Sequence, residues 1–210
     1  MSALQWAVPL QNRVTPFGEF IATSARGTLM GNRGGQLHDD ERRLRKRRWT
    51  SKQWICCRLD FNNRHRKVWG DSYTELFFLD EVTAFAAGHR PCFECRREDA
   101  ERFATLSGPP GKRATASEMD RCLHAERLEG RAKRLHTCPV QALPDGAMIV
   151  RGDEAFAFLG THMLRWSAAG YTEFLPRPRG ITVDVLTPPS ALAALARGYR
   201  PLWHPSASGR

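Results

Sequence analysis

Apolar and polar residues alternate from residue 54 onward, and this pattern predicts a β-strand. Ile55, Cys57, Leu59 and Phe61 share one face of it, which is expected to be the apolar, buried face. Cys56 falls on the opposite face. The Asn-Asn pair at 62–63 is typical of a turn, so residues 66–69 are expected to return as the second strand of a hairpin.

A strand, a short helix and two longer helices are expected next. Residues 73–79 are aromatic and apolar, as in a strand. Asp80 is placed to cap a helix that buries Val82 and Phe85 and that ends at Gly88. A second helix is expected over residues 96–106. A Pro/Gly-rich segment at 107–111 is the best candidate for a linker, and a third helix is expected over residues 115–129.

The last third has a different pattern. Short apolar segments alternate with turn-forming residues, which is typical of an antiparallel meander. These expected strands are 148–150, 155–159, 163–166 and 171–175. A small helix is expected to begin near Pro189 and to end at Gly198. The whole pattern predicts an α+β fold. Residues 1–107 would form a small α/β module, and residues 112–210 a helix followed by a β-meander-rich C-terminal part.

The composition excludes some classes of protein. The 210 residues contain no run of 18 apolar residues, and the first 20 lack the basic and apolar regions of a secretory signal. We therefore expect a cytoplasmic protein with no membrane partner. Six cysteines are few for a disulfide scaffold of this length, so reduced thiols that serve a metal are the better interpretation.

The net charge of +10 is concentrated in one segment. Residues 26–67 contain 13 Lys or Arg and 4 Asp or Glu. Guanidinium groups interleaved with indoles suit a phosphate backbone and exposed bases, so we expect nucleic acid as the partner, DNA more than RNA. The alternative is a solvated face beside buried Trp residues. The candidate nucleic-acid contacts are Arg42, Arg43, Arg45, Lys46, Arg47, Arg48, Trp54, Arg58, Arg64, Arg66 and Lys67.

The sequence Pro91-Cys92-Phe93-Glu94-Cys95 follows the helix-ending Gly88. Two thiolates separated by two residues can bind one zinc ion, with Zn–S distances of about 2.3 Å. Cys92 and Cys95 are therefore candidates for half of the ligands of a zinc site, and the α/β module would contain a zinc knuckle.

The segment 76–96 resembles the second half of the zinc-binding domain of the Ada DNA-repair proteins. The resemblance is carried by Ala86-Ala87-Gly88, Arg90-Pro91-Cys92 and Cys95-Arg96, together with the strand and short helix before them. It implies a small zinc-stabilised DNA-binding unit with a role in DNA repair or damage recognition. The family's earlier Cys-x-x-x-Cys pair is missing, because positions 60 and 61 are Asp and Phe. Methyl transfer to a cysteine is therefore not implied.

The remaining zinc ligands stay open at this point. Cys56, Cys57 and His65 lie upstream at a plausible distance. Each of the three could instead have no metal-binding role. For Cys57, which lies on the predicted apolar face, a place in the hydrophobic core is favoured over metal ligation.

A second possibility uses His124 and Glu126. Zinc-dependent cytidine and adenosine deaminases combine His-x-Glu with Pro-Cys-x-x-Cys, and the Glu moves protons to and from an activated water. In this chain the two motifs occur in the reverse order, so the site would have to be permuted or convergent. His124 would then be a zinc ligand and Glu126 the catalytic residue. We therefore carry two hypotheses: a zinc-supported nucleic-acid-binding protein, which is favoured, and a deaminase-like zinc hydrolase of a nucleobase.

Overall fold

The computed structural model describes residues 8–63 and 67–209, and it combines helices with two six-stranded sheets in an α+β arrangement. The predicted fold class is confirmed. The strands of the first sheet are β1 (Arg13–Val14), β2 (Phe20–Ile21), β3 (Leu29–Asn32), β4 (Ile55–Cys57), β5 (Leu76–Phe78) and β6 (Arg90–Pro91). Their order across the sheet is β2-β1-β5-β3-β4-β6.

Strand β4 differs from its prediction. It ends at Cys57, and residues 58–63 continue as irregular chain. Antiparallel β3 covers one of its edges and parallel β6 covers the other. Because both edges are already paired, the predicted hairpin partner at 66–69 has no edge to join. Residues 64–66 lie outside the described part of the chain.

The helices begin and end close to the predicted positions. They are α1 (Glu81–Ala86), α2 (Arg97–Ser107), α3 (Ala116–Arg127) and α4 (Pro189–Ala196). Asp80 caps α1 by accepting a hydrogen bond from the Thr83 N–H at 2.8 Å. Thr115 and Glu118 form a capping box at the start of α3. The left-handed backbone of Gly88, with φ of +85°, turns the chain after α1, a conformation that favours glycine.

The predicted C-terminal meander is also confirmed. Its strands are β10 (Met148–Arg151), β11 (Glu154–Leu159), β12 (His162–Ser167) and β13 (Gly170–Pro176), each antiparallel to the next. Strands β14 (Thr182–Val185) and β9 (His136–Pro139) extend the sheet beyond β10. A separate hairpin of β7 (Leu128–Glu129) and β8 (Ala132–Lys133) follows directly on α3. Two short 3-10 helices cover Val140–Ala142 and Pro205–Ser208.

Helix α1 is buried along its whole length and belongs to more than one core. Val82 and Ala86 pack with Met148 and Leu164 of the C-terminal sheet, and Phe85 packs with residues of α2, α3 and α4. The predicted boundary at 108–111 is a turn between α2 and α3, but buried cores join residues from both sides of it. Within the described residues, no helix is both long and apolar enough to cross a bilayer.

Candidate metal centre

The sulfur atoms of Cys57, Cys92 and Cys95 lie within 4.8 Å of one another. Among the residues that the structure describes, these three form the group whose ligand atoms are close enough to hold one metal ion. Cys92 is buried, and the other two are half-buried. The two knuckle cysteines predicted from Cys-x-x-Cys are thus joined by the last residue of β4.

The pairing of β4 with β6 brings the third cysteine to the knuckle. In this parallel ladder Ile55 is opposite Arg90 and Cys56 is opposite Pro91. The Cys92 N–H continues the ladder by donating to the Cys56 carbonyl at 3.0 Å. The next residue of β4, Cys57, therefore comes beside Cys92 although the two are far apart in sequence.

A buried ion pair fixes the far side of the knuckle. Arg96 Nη1 contacts Glu81 Oε1 of α1 at 2.8 Å, and both side chains are fully buried. A second nitrogen, Nη2, contacts Asp99 at 2.8 Å. Nη1 also points to Cys56 Sγ at 3.4 Å. The knuckle is therefore anchored to α1 and α2 independently of any metal. The role of Glu81 and Arg96 was not predicted from the sequence, although a glutamate at the start of an otherwise buried helix was a signal.

The three sulfurs lie close enough to affect one another's protonation. The Glu94 N–H donates to Cys92 Sγ at 3.4 Å. Hydrogen bonds with the thiols of Cys57 and Cys95 lower the pKa of Cys92 well below its ordinary value. Contacts of the Cys57 sulfur, first with Cys92 and then with Cys95, raise the pKa of Cys57. A metal ion would replace the shared protons, because the thiolate is the form that ligates metals.

The sulfurs line a cavity of about 380 Å³, a size typical of small-molecule sites. Most of its other lining side chains are apolar or aromatic, namely Met30, Ile55, Leu59, Phe61, Val68, Tyr73 and Phe77. Glu75 also lines it, and its carboxylate accepts a hydrogen bond from the Trp69 N–H at 2.7 Å. The sulfur cluster thus faces a mainly apolar space.

Cys56 is placed outside the cluster, and the predicted faces of β4 are reversed. Cys56 is fully buried in the core, whereas Ile55 and Cys57 are half-buried on the cavity side. The cause is tertiary, because Cys56 packs in a buried core cluster and Trp54, two residues earlier in the chain, is buried as well. Burial raises the pKa of Cys56, which keeps it a neutral thiol. The remaining candidate ligand, His65, lies outside the described residues.

The structure does not bring His124 and Glu126 to the sulfurs. The His124 ring packs edge-on against Trp49, at 5.9 Å between centroids, and its Nδ1 contacts Arg127 at 3.0 Å. The carboxylate of Glu126 accepts hydrogen bonds from the Ser190 N–H and hydroxyl at 3.0 and 2.7 Å. Neither residue lines the sulfur cavity. The deaminase-like arrangement is therefore not assembled around Cys57, Cys92 and Cys95.

The predicted nucleic-acid contacts that the structure describes are on the surface, with one exception. The predicted contacts at its centre are all exposed, namely Arg42, Arg43, Arg45, Lys46, Arg47 and Arg48, as are Arg58 and Lys67. Trp54 is only 2% exposed, so its ring is not available for stacking on a base. Two arginines already occupy that ring: the Cζ atoms of Arg33 and Arg127 lie 3.8 and 3.7 Å from its centroid. Arg64 and Arg66 are outside the described residues.

Comparison with protein-family models, with curated proteins and with solved structures finds no significant match to this chain.

Proposed function

We propose that this chain is a zinc-binding protein that binds nucleic acid, DNA in preference to RNA, with a role in DNA repair or damage recognition. The observation that carries the proposal is the convergence of Cys57, Cys92 and Cys95 at one point. The resemblance of residues 76–96 to the Ada zinc-binding domain supports the same assignment.

Zinc fits the donor set best. Thiolates are soft ligands that select zinc among the common divalent ions, whereas magnesium and calcium take oxygen ligands. In a tetrahedral site with Zn–S distances of about 2.3 Å, neighbouring sulfurs are about 3.8 Å apart. The three sulfurs lie within 4.8 Å of one another, so small side-chain movements would bring them to this geometry. A bound ion would tie the end of β4 to the knuckle, and His65 is a candidate for the fourth ligand.

The exposed basic segment supplies the second half of the proposal. Residues 42–48 contain six cations, and all six are exposed. Arg43 forms ion pairs with Asp39 and Glu41. Among the described residues, Arg45, Lys46, Arg47 and Arg48 form no ion pair with a carboxylate. Cations of this kind bind phosphates and release the counterions around a nucleic acid.

The test measures the affinity for a short DNA duplex and for single strands of DNA and RNA at several salt concentrations. We expect a steep loss of affinity with salt, with a slope of about −0.9 for each phosphate contact on the duplex. Replacing Arg45, Lys46 and Arg47 with Gln should make this slope shallower by about two to three.

The matched control replaces Arg151, Arg179 and Arg200 with Gln, because these exposed arginines lie elsewhere and the change in net charge is the same. The control should keep the wild-type slope. If the two triple variants lose equal affinity, net charge alone explains binding and the assigned surface is wrong.

A further inference from the structure

A second cavity, of about 470 Å³, lies at the other end of β4 from the sulfur cluster. It lies between the β1–β2 hairpin, the end of α3 and the β7–β8 hairpin. Five of its lining residues are cations and one is an acid, the exposed Glu19. The five cations are Arg33, Arg48, Arg127, Arg131 and Lys133.

Two of these cations are buried, which is unusual without a paired carboxylate. Arg33 and Arg127 are 2% and 1% exposed. Among the described residues, none of the five cavity cations forms an ion pair with a carboxylate. The acid that acts on Arg127, Asp120, is itself bound to Arg90 by two hydrogen bonds of 2.8 and 2.9 Å.

Neutral groups satisfy only part of the donor capacity of these side chains. Arg33 donates to His89 Nε2 at 3.3 Å and to the Gly18 carbonyl at 2.9 Å. Arg127 donates to the carbonyls of Gly88 and Lys52 at 2.8 and 2.9 Å, but its buried Nε has no hydrogen-bond partner. The Lys133 ammonium donates to the Ala86 carbonyl.

The charges of these groups act on one another. Burial lowers the pKa of Arg127 to about 9, although the negative charge of Asp120 acts in the opposite direction and raises it. Burial, then the charges of Arg127 and Arg33, lower the pKa of Lys133 to about 7. These three neighbouring cations, two of them buried and Lys133 half-buried, repel one another, and a bound anion would offset their charges and accept from the free Nε of Arg127.

We infer that this cavity is a binding site for a phosphate group. Phosphate offers the charge and the several acceptor oxygens that a cluster of guanidinium and ammonium groups recognises. The cavity volume is that of a small-molecule site rather than of a single ion, so the phosphate has room to carry an organic group.

The bound phosphate could belong to either of two kinds of molecule, a free phosphate compound or a nucleic-acid strand. Arg48 and Trp49 line the cavity, and both belong to the basic segment. Arg131 connects the β7–β8 hairpin to that segment by donating to the Lys46 carbonyl at 2.8 Å. A strand lying along the basic segment would therefore reach the cavity. The phosphate site itself does not depend on the metal centre or on the proposed function.

The first test follows thermal unfolding of the full chain as inorganic phosphate is added, with sodium chloride at equal ionic strength as the reference. We expect phosphate to raise the melting temperature in a saturable way, because it binds the folded state. Lys133→Gln should raise the phosphate concentration at half-effect about tenfold, the usual loss for one charge-assisted hydrogen bond. Lys133 is half-buried on a surface hairpin, so this variant is expected to fold.

Arg121→Gln is the matched control, since Arg121 is exposed on α3 and does not line the cavity. It should respond to phosphate as the wild type does. If phosphate and chloride have equal effects, or if Lys133→Gln and Arg121→Gln respond alike, the phosphate site is refuted.

The second test separates the two sources by comparing one oligonucleotide with a 5′-phosphate and with a 5′-hydroxyl. Tighter binding of the phosphorylated strand, lost in Lys133→Gln, assigns the cavity to a strand end. Equal binding of both strands, with saturable stabilisation by inorganic phosphate, assigns it to a free phosphate compound. Nucleic-acid binding that persists without any phosphate effect would refute the cavity while leaving the proposed function intact.

Discussion

The two ends of β4 lead to cavities of opposite character. At its end, Cys57 joins two knuckle sulfurs beside a mainly apolar space. Just before its start, Trp54 lines a cavity that five cations also line. One cavity brings together thiols that could bind a cation by giving up their protons. The other collects positive charge that the described chain does not neutralise.

Arg96 is a buried arginine of the same molecule whose charge is paired with carboxylates. It is as buried as Arg33 and Arg127, but it contacts Glu81 and Asp99 at 2.8 Å each. A buried guanidinium is stable when such partners are present. The contrast with Arg33 and Arg127 separates a charge that is neutralised within the fold from charges that, in the inferred site, a bound anion neutralises.

The adjacent pair Cys56 and Cys57 gives the largest expected effect. Cys57→Ser should abolish stoichiometric zinc and lower the free energy of unfolding by about 4 kcal/mol, the stabilisation that a metal gives at 1,000 times its Kd. Cys56→Ser should retain one zinc, because its sulfur lies in the core and not in the cluster. Metal analysis after gel filtration and denaturant unfolding check both variants. Loss of zinc from Cys56→Ser alone would reverse the assignment.

Glu81→Gln should remove the fully buried partner of Arg96 and leave only the partly exposed Asp99 to neutralise it. We expect a loss of about 3 kcal/mol in the free energy of unfolding, because removing one partner leaves the other charge buried. Urea unfolding measures the loss. The control is Glu101, which forms surface ion pairs with Arg97 at 3.4 Å and Arg113 at 3.2 Å, and Glu101→Gln should cost less than about 1 kcal/mol. Equal losses in the two variants would show that the buried pair contributes no more to the free energy of unfolding than the exposed one.

The elements with strong local signals could be predicted from the sequence. Asp80, Gly88 and Cys-x-x-Cys specify a cap, a left-handed turn and a knuckle within a few residues of chain. The turns between short apolar segments specify the meander in the same way. These features depend on near neighbours, so the sequence displays them.

The face of β4 could not be predicted, because it depends on distant residues. Alternation alone favoured burial of Cys57, but the packing of Trp54 and Cys56 into the core turns Cys57 toward the knuckle. The cationic cavity has the same origin. Arg33, Arg127 and Lys133 come from separate elements, and none stands out beside the dense charge of residues 42–48. Their proximity is a product of topology.

The pH dependence of stability gives the smallest expected effect, and it tests the cationic cavity directly. Lys133 has a pKa of about 7 in the folded chain, lowered by burial and by the charges of Arg127 and Arg33, and an ordinary lysine titrates near about 10.4. Between these values the unfolded chain binds a proton that the folded chain does not, so stability rises with pH, and the cost of the buried charge is fully present below pH 7.

Relative to Lys133→Gln, the wild type should therefore gain stability from pH 7 to pH 9, by less than about 1 kcal/mol per pH unit. The measurement is denaturant unfolding at each pH, and Arg121→Gln should keep the wild-type slope. Saturating phosphate should flatten this slope, because a bound anion favours the charged ammonium and brings its pKa back toward the ordinary value. A wild type and a Lys133→Gln variant with the same slope would mean that Lys133 keeps an ordinary pKa, and the charge repulsion attributed to the cavity would then be absent.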